Sequence, residues 1–244
     1  MGNLRAVTRL ALLVGWLGIA LVLHGLTRLV RAPSPWPRIF LGGSARLVGA
    51  RPRITGMPLR RDVVFLANHL SWLDILLLAG ASGTAFVAKG ELAQVPLIGW
   101  LCGLNRTIFV SRGDRMGVAR QVEELRSAIG EAWAVAIFPE GTTGDGVTLL
   151  PFKASLLAAL DPPPSGLRVQ PVRIDYGAAT RELAWVGDES GQSHAARVLR
   201  RPGGFDAQLA FLPPFDPAGM DRKRIAAEAR DRIATALPRG GQAG

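Results

Sequence analysis

The chain has 244 residues, enough for one sizeable α/β domain with an appendage. Its 29 Lys and Arg outweigh 19 Asp and Glu, a net charge of +10 carried almost wholly by arginine, since only three lysines occur. That balance calls for an anionic partner, whether nucleic acid, an anionic membrane leaflet or an acidic carrier protein. Zinc-finger spacing, an aromatic single-strand platform and a compact Lys/Arg block are all missing, which argues against nucleic acid. The single Cys102 excludes an intramolecular disulfide and a cysteine-based metal cluster.

The first element is apolar. Leu10 to Thr27 makes eighteen positions without Asp, Glu, Lys or Arg. As a helix the run spans roughly 27 Å, close to the ~30 Å hydrocarbon core. A transmembrane span, a helix embedded from one side and a signal peptide compete for it. The run is long for a signal peptide, and no small-x-small cleavage site follows. Arg5 and Arg9 precede it, while Arg28, Arg31, Arg38, Arg46, Arg51 and Arg53 follow, so the heavier basic side lies with the rest of the chain. This asymmetry predicts attachment to the inner membrane with the body on its cytoplasmic side. Ala32-Pro33-Ser34-Pro35-Trp36-Pro37 is a stiff linker that cannot be helix interior, and it divides the chain into residues 1–35 and a body at 36–244. Beyond it, Trp36, Ile39, Phe40, Leu41 and Leu47 with Arg38 and Arg46 read equally as a headgroup-level helix or an ordinary amphipathic one. Gly42-Gly43 weakens both readings.

From Asp62 strands and helices alternate. Strands are predicted near 63–67, 84–88, 107–110, 133–138 and 168–175, with helices near 73–80, 115–130 and 152–160. In 115–130, Val118, Val122, Leu125 and Ile129 recur at helical spacing. Asp221 to Leu237, with Ile225, Ala229, Ile233 and Leu237 in steps of four, reads as a docked terminal helix closed by Pro238. The alternation predicts an α/β fold, a mostly parallel sheet flanked by helices.

Four segments carry chemistry. In Asn68-His69-Leu70-Ser71-Trp72-Leu73-Asp74 an apolar strand ends and a buried helix begins, with Ser71 or Asn68 as N-cap. This is the sheet edge where α/β proteins bind ligands. A five-residue step on a straight helix would place the two side chains roughly 140° apart, so His69 must lie in the turn for Asp74 to reach its ring. A carboxylate on one ring nitrogen fixes the tautomer and leaves the other as a general base. Taken alone, such a pair reads better as a turn-capping histidine. The second segment, Asn105-Arg106-Thr107-Ile108-Phe109-Val110-Ser111-Arg112, flanks one short strand with arginines able to grip a phosphate or carboxylate bidentately. Each arginine alone reads better as a solvated surface group. In the third, Phe138-Pro139-Glu140-Gly141-Thr142-Thr143-Gly144-Asp145-Gly146, a strand runs into a carboxylate and three glycines, a tight loop whose backbone amides can hold an anion. It reads otherwise as a plain turn. The fourth, Val169-Gln170-Pro171-Val172, is a strand with an internal proline, which predicts an edge strand or a groove wall.

In this order the four segments resemble the glycerolipid acyltransferase family that includes the 1-acylglycerol-3-phosphate acyltransferases. The Asn-His-x4-Asp block is met at Asn68, His69 and Asp74. Phe-x-x-Arg is met at Phe109 and Arg112, Phe-Pro-Glu-Gly-Thr at Phe138 to Thr142, and Val-Pro is approximated by Gln170-Pro171-Val172. Val87-Ala88-Lys89-Gly90-Glu91-Leu92 is similar to the family's linking segment. The resemblance is strongest from Val63 to Tyr176. It implies acyl transfer from a thioester, of acyl carrier protein or coenzyme A, to a lysolipid hydroxyl at the membrane, with no metal and no resident cofactor. His69 would be the base, Asp74 its orienting partner, and Ser71 a cap and not a nucleophile. Arg112 would hold the acceptor's anionic head, Glu140, Gly141 and Thr142 would shape its site, and Asn68, Phe109 and Pro171 would line it. Two departures stand out. The second block commonly begins with Gly where Arg106 stands, and the third often continues with Arg where Thr143 stands. Arg106 could supply the missing charge, or the acceptor lacks a phosphate, as in lyso-ornithine lipid; lysophosphatidic acid stays first as acceptor because Arg112 is retained. A non-catalytic lipid-binding protein is the alternative of another class. It would tolerate erosion of His69 or Asp74, and both are present.

Overall fold

The computed structural model describes residues 1–110, 122, 123, 125–127 and 134–236. Among the described residues seven strands form one sheet: β1 (Ala50–Thr55), β2 (Val63–Ala67), β3 (Ala85–Lys89), β4 (Ile108–Val110), β5 (Ala134–Ile137), β6 (Arg168–Asp175) and β7 (Phe205–Phe211). Their spatial order is β1-β7-β6-β2-β5-β3-β4. Every pairing is parallel except β6 with β7, so β1 and β7 run against the other five. The five predicted strands occur within a residue or two of their expected bounds, and β2 is buried at all five positions. A strand flanked on both faces needs no polar alternation, which is why its apolar run is continuous.

Two cores lie on the two faces of the sheet. On one, helices α1 (Gly2–Leu29), α2 (Trp36–Leu47) and α3 (Leu73–Ser82) cover Phe65, Ala67, Leu73, Leu77 and Leu78. On the other, a 3-10 stretch at Ala154–Leu160 and the terminal helix, Arg222–Ala236, cover Val64, Leu66, Val135, Ile137 and Ile225. The predicted helix near 152–160 is therefore a 3-10 element with a kink at Leu157. Most of the predicted helix 115–130 lies outside the described residues. Val122, Glu123 and Leu125–Ser127 are helical, and Leu125 is buried.

Gly42-Gly43 does not weaken α2; it seats it. A Cβ on Gly80 of α3 would lie 2.5 Å from the Gly42 Cα, and one on Gly43 would lie 2.5 Å from the Trp16 indole nitrogen. Backbone contact with α3 and ring contact with α1 both require glycine at those positions. Helix α4 (Pro96–Leu104) links β3 to β4, and α5 (Gly191–Arg200) precedes β7.

Helix α1 is tied to the body at its N-terminal end and middle, and to the linker near its C-terminal end. Arg9 donates to the carbonyls of Val198, Leu199, Arg201 and Gly203 at 3.0–3.2 Å, and Arg5 to that of Arg200 at 2.7 Å. The two guanidinium groups thereby satisfy the orphan carbonyls at the α5 C-terminus, where its dipole favours positive charge. The Trp16 indole donates to Phe40 O at 3.0 Å, and the His24 ring meets the Ser34 hydroxyl at 2.8 Å. The opposite face of α1, with Leu4, Val7, Leu10, Val14, Val22 and Leu26, is exposed. Among the described residues α1 is the one helix long and apolar enough to cross a membrane, with a mean hydropathy of 2.1 over its best window.

The internal proline does not mark an edge, which corrects that expectation. β6 lies between β2 and β7, with Pro171 opposite Leu66. The ring is tolerated because the β6–β7 ladder is interrupted there. Val172 pairs with Phe211 and Val169 with Phe215, so Gln170 and Pro171 face Leu212, Pro213 and Pro214. Within this bulge the Pro171 carbonyl accepts Leu212 N–H at 3.0 Å. The Gln170 amide donates to Met57 O and Leu212 O and accepts Leu59 N–H, so no ladder partner is left waiting for an N–H that proline lacks.

Candidate active site

β2 ends at Ala67 and α3 begins at Leu73; the five residues between them form the turn that places His69. Asn68 is not the helix cap. Its amide donates to Ile174 O at 2.9 Å and accepts Ile174 N–H at 2.8 Å, which extends the β2–β6 pairing by one side chain. The cap position falls on Trp72, and the Ser71 hydroxyl accepts Leu73 N–H at 3.2 Å.

Asp74 is fully buried, and its carboxylate organises the turn. Oδ2 accepts His69 Nδ1–H at 2.8 Å, Leu70 N–H at 2.6 Å and Ser71 N–H at 3.0 Å. Oδ1 accepts the Tyr176 hydroxyl. Four donors on one carboxylate satisfy its lone pairs away from water. The His69 ring stacks on Phe138 at 4.0 Å between centroids and 15° between planes. Its side chain is 18% exposed, and Nε2 has no protein partner among the described residues. Nδ1 is thus held as donor, and Nε2 is presented with its lone pair outward.

The loop after β5 supports this turn from the other side. Glu140 is 3% exposed, and its Oε1 accepts His69 N–H at 3.0 Å. Burial pushes the carboxyl up to about 7, opposed by the backbone N–H groups of His69 and Leu150. The His69 carbonyl in turn accepts Gly144 N–H at 2.7 Å, and Gly141 N–H bonds Phe138 O at 3.1 Å. The amides of Gly141 and Gly144 therefore hold the loop and are engaged before any oxyanion arrives. Gly141 has φ +68°, a backbone region open to glycine. Thr142 is exposed. The Thr143 hydroxyl donates to the Trp185 carbonyl, while Trp185 N–H bonds Leu70 O at 2.8 Å. His69, Glu140, Gly144, Gly146, Thr148 and Leu149 line a small cleft.

Asn68, His69, Asp74, Glu140, Gly141 and Thr143 are thus brought together, and Pro171 lies one strand away. Arg106 is not, which corrects the expectation that it supplies charge at the site. It precedes β4, three strand spacings or roughly 14 Å from β2, toward the strands' amino ends, with neighbouring Asn105 bonded to Thr84 O. Arg106 has φ +57°, so the position where the family commonly has Gly demands a left-handed backbone. Arginine adopts it at a cost on the order of 1 kcal/mol. Phe109 lies within edge strand β4. Arg112 lies outside the described residues.

Sequence reading missed Tyr176, Trp185 and His194. Tyr176 follows β6 directly and is fully buried. Burial raises its hydroxyl well above the usual phenol range, helped by the adjacent Asp74 carboxylate. His194 on α5 accepts the Trp72 indole N–H at 2.9 Å through Nδ1, and its Nε2 meets Leu183 O at 3.0 Å. Being the chain's only tyrosine at a strand's carboxyl end was the one available signal for Tyr176.

A histidine held by a buried carboxylate at the carboxyl edge of an α/β sheet can serve as a general base toward an incoming hydroxyl or water. Ser71 is buried, its oxygen shared between Tyr176 and Leu73 N–H. The particular class is given by relatives. The chain belongs to the Acyltransferase family, whose model matches residues 51–175. It is 33% identical over 254 aligned residues to a lyso-ornithine lipid O-acyltransferase of Pseudomonas aeruginosa, covering 97% of this chain and 95% of that protein. It is 34% identical to a namesake of Rhodobacter capsulatus over 90% of this chain and 86% of that one. A 1-acyl-sn-glycerol-3-phosphate acyltransferase of Neisseria gonorrhoeae is 35% identical over 47% of this chain and 44% of its own. The crystal structure of the 1-acyl-sn-glycerophosphate acyltransferase PlsC from Thermotoga maritima superposes with a TM-score of 0.62 at 23% identity, covering 98% of this chain and all of that one. It shares the fold.

Proposed function

We propose that this acyltransferase moves a fatty acyl group from a carrier thioester to the hydroxyl of a lysolipid, with lyso-ornithine lipid as the acceptor ahead of 1-acylglycerol-3-phosphate. The observation that carries the order is the extent of likeness. Relatives named for lyso-ornithine lipid align along 75–97% of the chain, whereas the Neisseria glycerophosphate enzyme aligns over 47%. The engagement of Thr143 with Trp185, in place of an arginine facing the site, and the remoteness of Arg106 support the same order.

The chemistry follows from the dyad. His69 Nε2 accepts the acceptor's hydroxyl proton as its oxygen attacks the thioester carbonyl carbon, a contribution of typically ~10²–10⁴-fold. Asp74 holds the resulting imidazolium. The tetrahedral adduct collapses by breaking its carbon–sulfur bond, and the departing thiolate takes the proton from His69. Ester and free thiol leave, and no resident cofactor is needed. Either acyl carrier protein or coenzyme A fits as thioester carrier, and the basic surface favours the acidic carrier protein.

The exposed apolar face of α1, with its ties to the body at Arg5, Arg9 and Trp16, supports a helix laid into one leaflet and not one crossing away from the domain. The excess of arginine after α1 supports the cytoplasmic face of the inner membrane. Detergent-solubilised enzyme with acyl carrier protein thioester, offered both acceptors side by side, tests the assignment. Ornithine lipid as the main product, lost in His69→Ala, is the expected result. Phosphatidic acid as the main product overturns the acceptor, and turnover surviving His69→Ala overturns the base.

A further inference from the structure

We propose that Tyr176 is a positioning residue of the acyl-transfer reaction, fixing the carboxylate that fixes His69. The proposal rests on the reading of His69 as the base. Its geometry is a closed hydrogen-bonded path: Nδ1–H of His69 to Oδ2 of Asp74, Oδ1 of Asp74 to the Tyr176 hydroxyl, and Tyr176 oxygen to Ser71 Oγ at 3.1 Å. Ser71 then accepts Leu73 N–H, the first amide of the helix that bears Asp74.

Each oxygen of Asp74 has a separate task. Oδ2 takes two turn amides and the imidazole, all from residues 69–71. Oδ1 takes only the tyrosine, which arrives from another strand. With Oδ1 unpaired, the carboxylate could rotate about its Cβ–Cγ bond and exchange its oxygens between ring and amides. With Tyr176 in place the rotor is pinned at both oxygens, and the ring is pinned with it. Tyr176 is itself held. Its N–H bonds the Thr180 hydroxyl at 3.1 Å, its ring packs edge-on to Phe205 at 5.5 Å, and its side chain is fully buried. A hydroxyl placed there with no access to solvent or cleft does not meet substrate; it acts through Asp74.

Tyr176→Phe keeps the ring and removes the hydroxyl. The expected result is a kcat about 10–100-fold lower, the range for one charge-assisted hydrogen bond, with KM unchanged. In an Asp74→Asn background the same change is expected to have less than about twofold further effect, because the path is already broken. Because Tyr176 is the only tyrosine, biosynthetic 3-fluorotyrosine labels this site alone. Its ¹⁹F resonance is expected to move in Asp74→Asn and stay put in Arg51→Ala, which is distant and exposed. The fluorine readout also serves if the phenylalanine variant does not fold. Full activity of Tyr176→Phe while His69→Ala is inactive overturns this proposal alone, as does a loss that simply adds to that of Asp74→Asn, or a ¹⁹F resonance indifferent to Asp74. An active His69→Ala removes the base reading beneath it.

Discussion

Glu140 holds His69 by its backbone: Oε1 of the carboxyl accepts the His69 amide at 3.0 Å, while the imidazole answers to Asp74. His69, the proposed base, is therefore fixed twice, its main chain by the loop after β5 and its side chain by the helix after β2. The Glu140 carboxyl is lifted by burial to about 7 from an ordinary 4.5. Between those values the folded chain binds a proton that the unfolded chain has lost, so stability falls as pH rises. The contribution is complete below about 4.5 and gone above about 7, roughly 3 kcal/mol in all. Thermal unfolding of wild type against Glu140→Gln from pH 5 to 8 is expected to show a decline in the wild type that the variant lacks. Parallel curves would count against it.

His194 produces the opposite slope. It sits fully buried among Trp72, Trp185 and Leu183, with Nδ1 as acceptor and Nε2 as donor, so only the neutral ring satisfies both partners. Burial holds its pKa below the usual 6.5. Its stabilisation is present above that value and is lost as pH falls through and below it, since the unfolded chain then binds the extra proton. His194→Ala leaves the Trp72 indole N–H and Leu183 O without partners beside a cavity. We expect a loss of about 2–4 kcal/mol in urea unfolding, and reduced turnover at temperatures where the variant stays folded, because Trp72 follows Ser71 in the turn that carries His69, the proposed base.

What was legible in the sequence was what local chemistry determines. The apolar run of β2 announces a strand buried on both faces, and the five-residue step from His69 to Asp74 already requires a turn between them. What was not legible depends on which strands become neighbours. Tyr176 reaches Asp74 because β6 pairs with β2, and no spacing within the chain encodes a contact across 102 residues. Pro171 misled for the same reason: the rule that sends proline to an edge gives way where a bulge removes the ladder partner. Arg106 looked like a ligand by charge, yet its left-handed backbone and its strand end place it elsewhere. Gly42-Gly43 read as a flaw until α1 and α3 stood against it.

Gly80→Ala tests that last contact. The added Cβ would meet the Gly42 Cα at 2.5 Å, backbone against backbone, so neither side can yield by a rotamer change. Separation of α2 from α3 is expected to lower stability by about 1–3 kcal/mol. Alanine is the better helix former by about 1 kcal/mol, which makes the sign diagnostic. Stabilisation in differential scanning calorimetry would mean that the helices are not in backbone contact.

Arg9 makes the sharpest demand on α1. One guanidinium serves four carbonyls at the end of α5, so Arg9→Ala uncaps that helix and frees the start of α1 together. Because the Trp16 and His24 contacts lie further along, α1 is expected to loosen from its N-terminus and not to detach as a whole. Limited proteolysis of detergent-solubilised protein should show new cleavage near Arg5 while Arg28 stays protected. Lys at position 9 should restore little, since an ammonium cannot span four acceptors with the planar fork of arginine. Equal cleavage at both ends of α1 would mean that the helix is held by the surrounding amphiphile and not by α5. The reading of α1 as a helix lying along the body would then lose its main support.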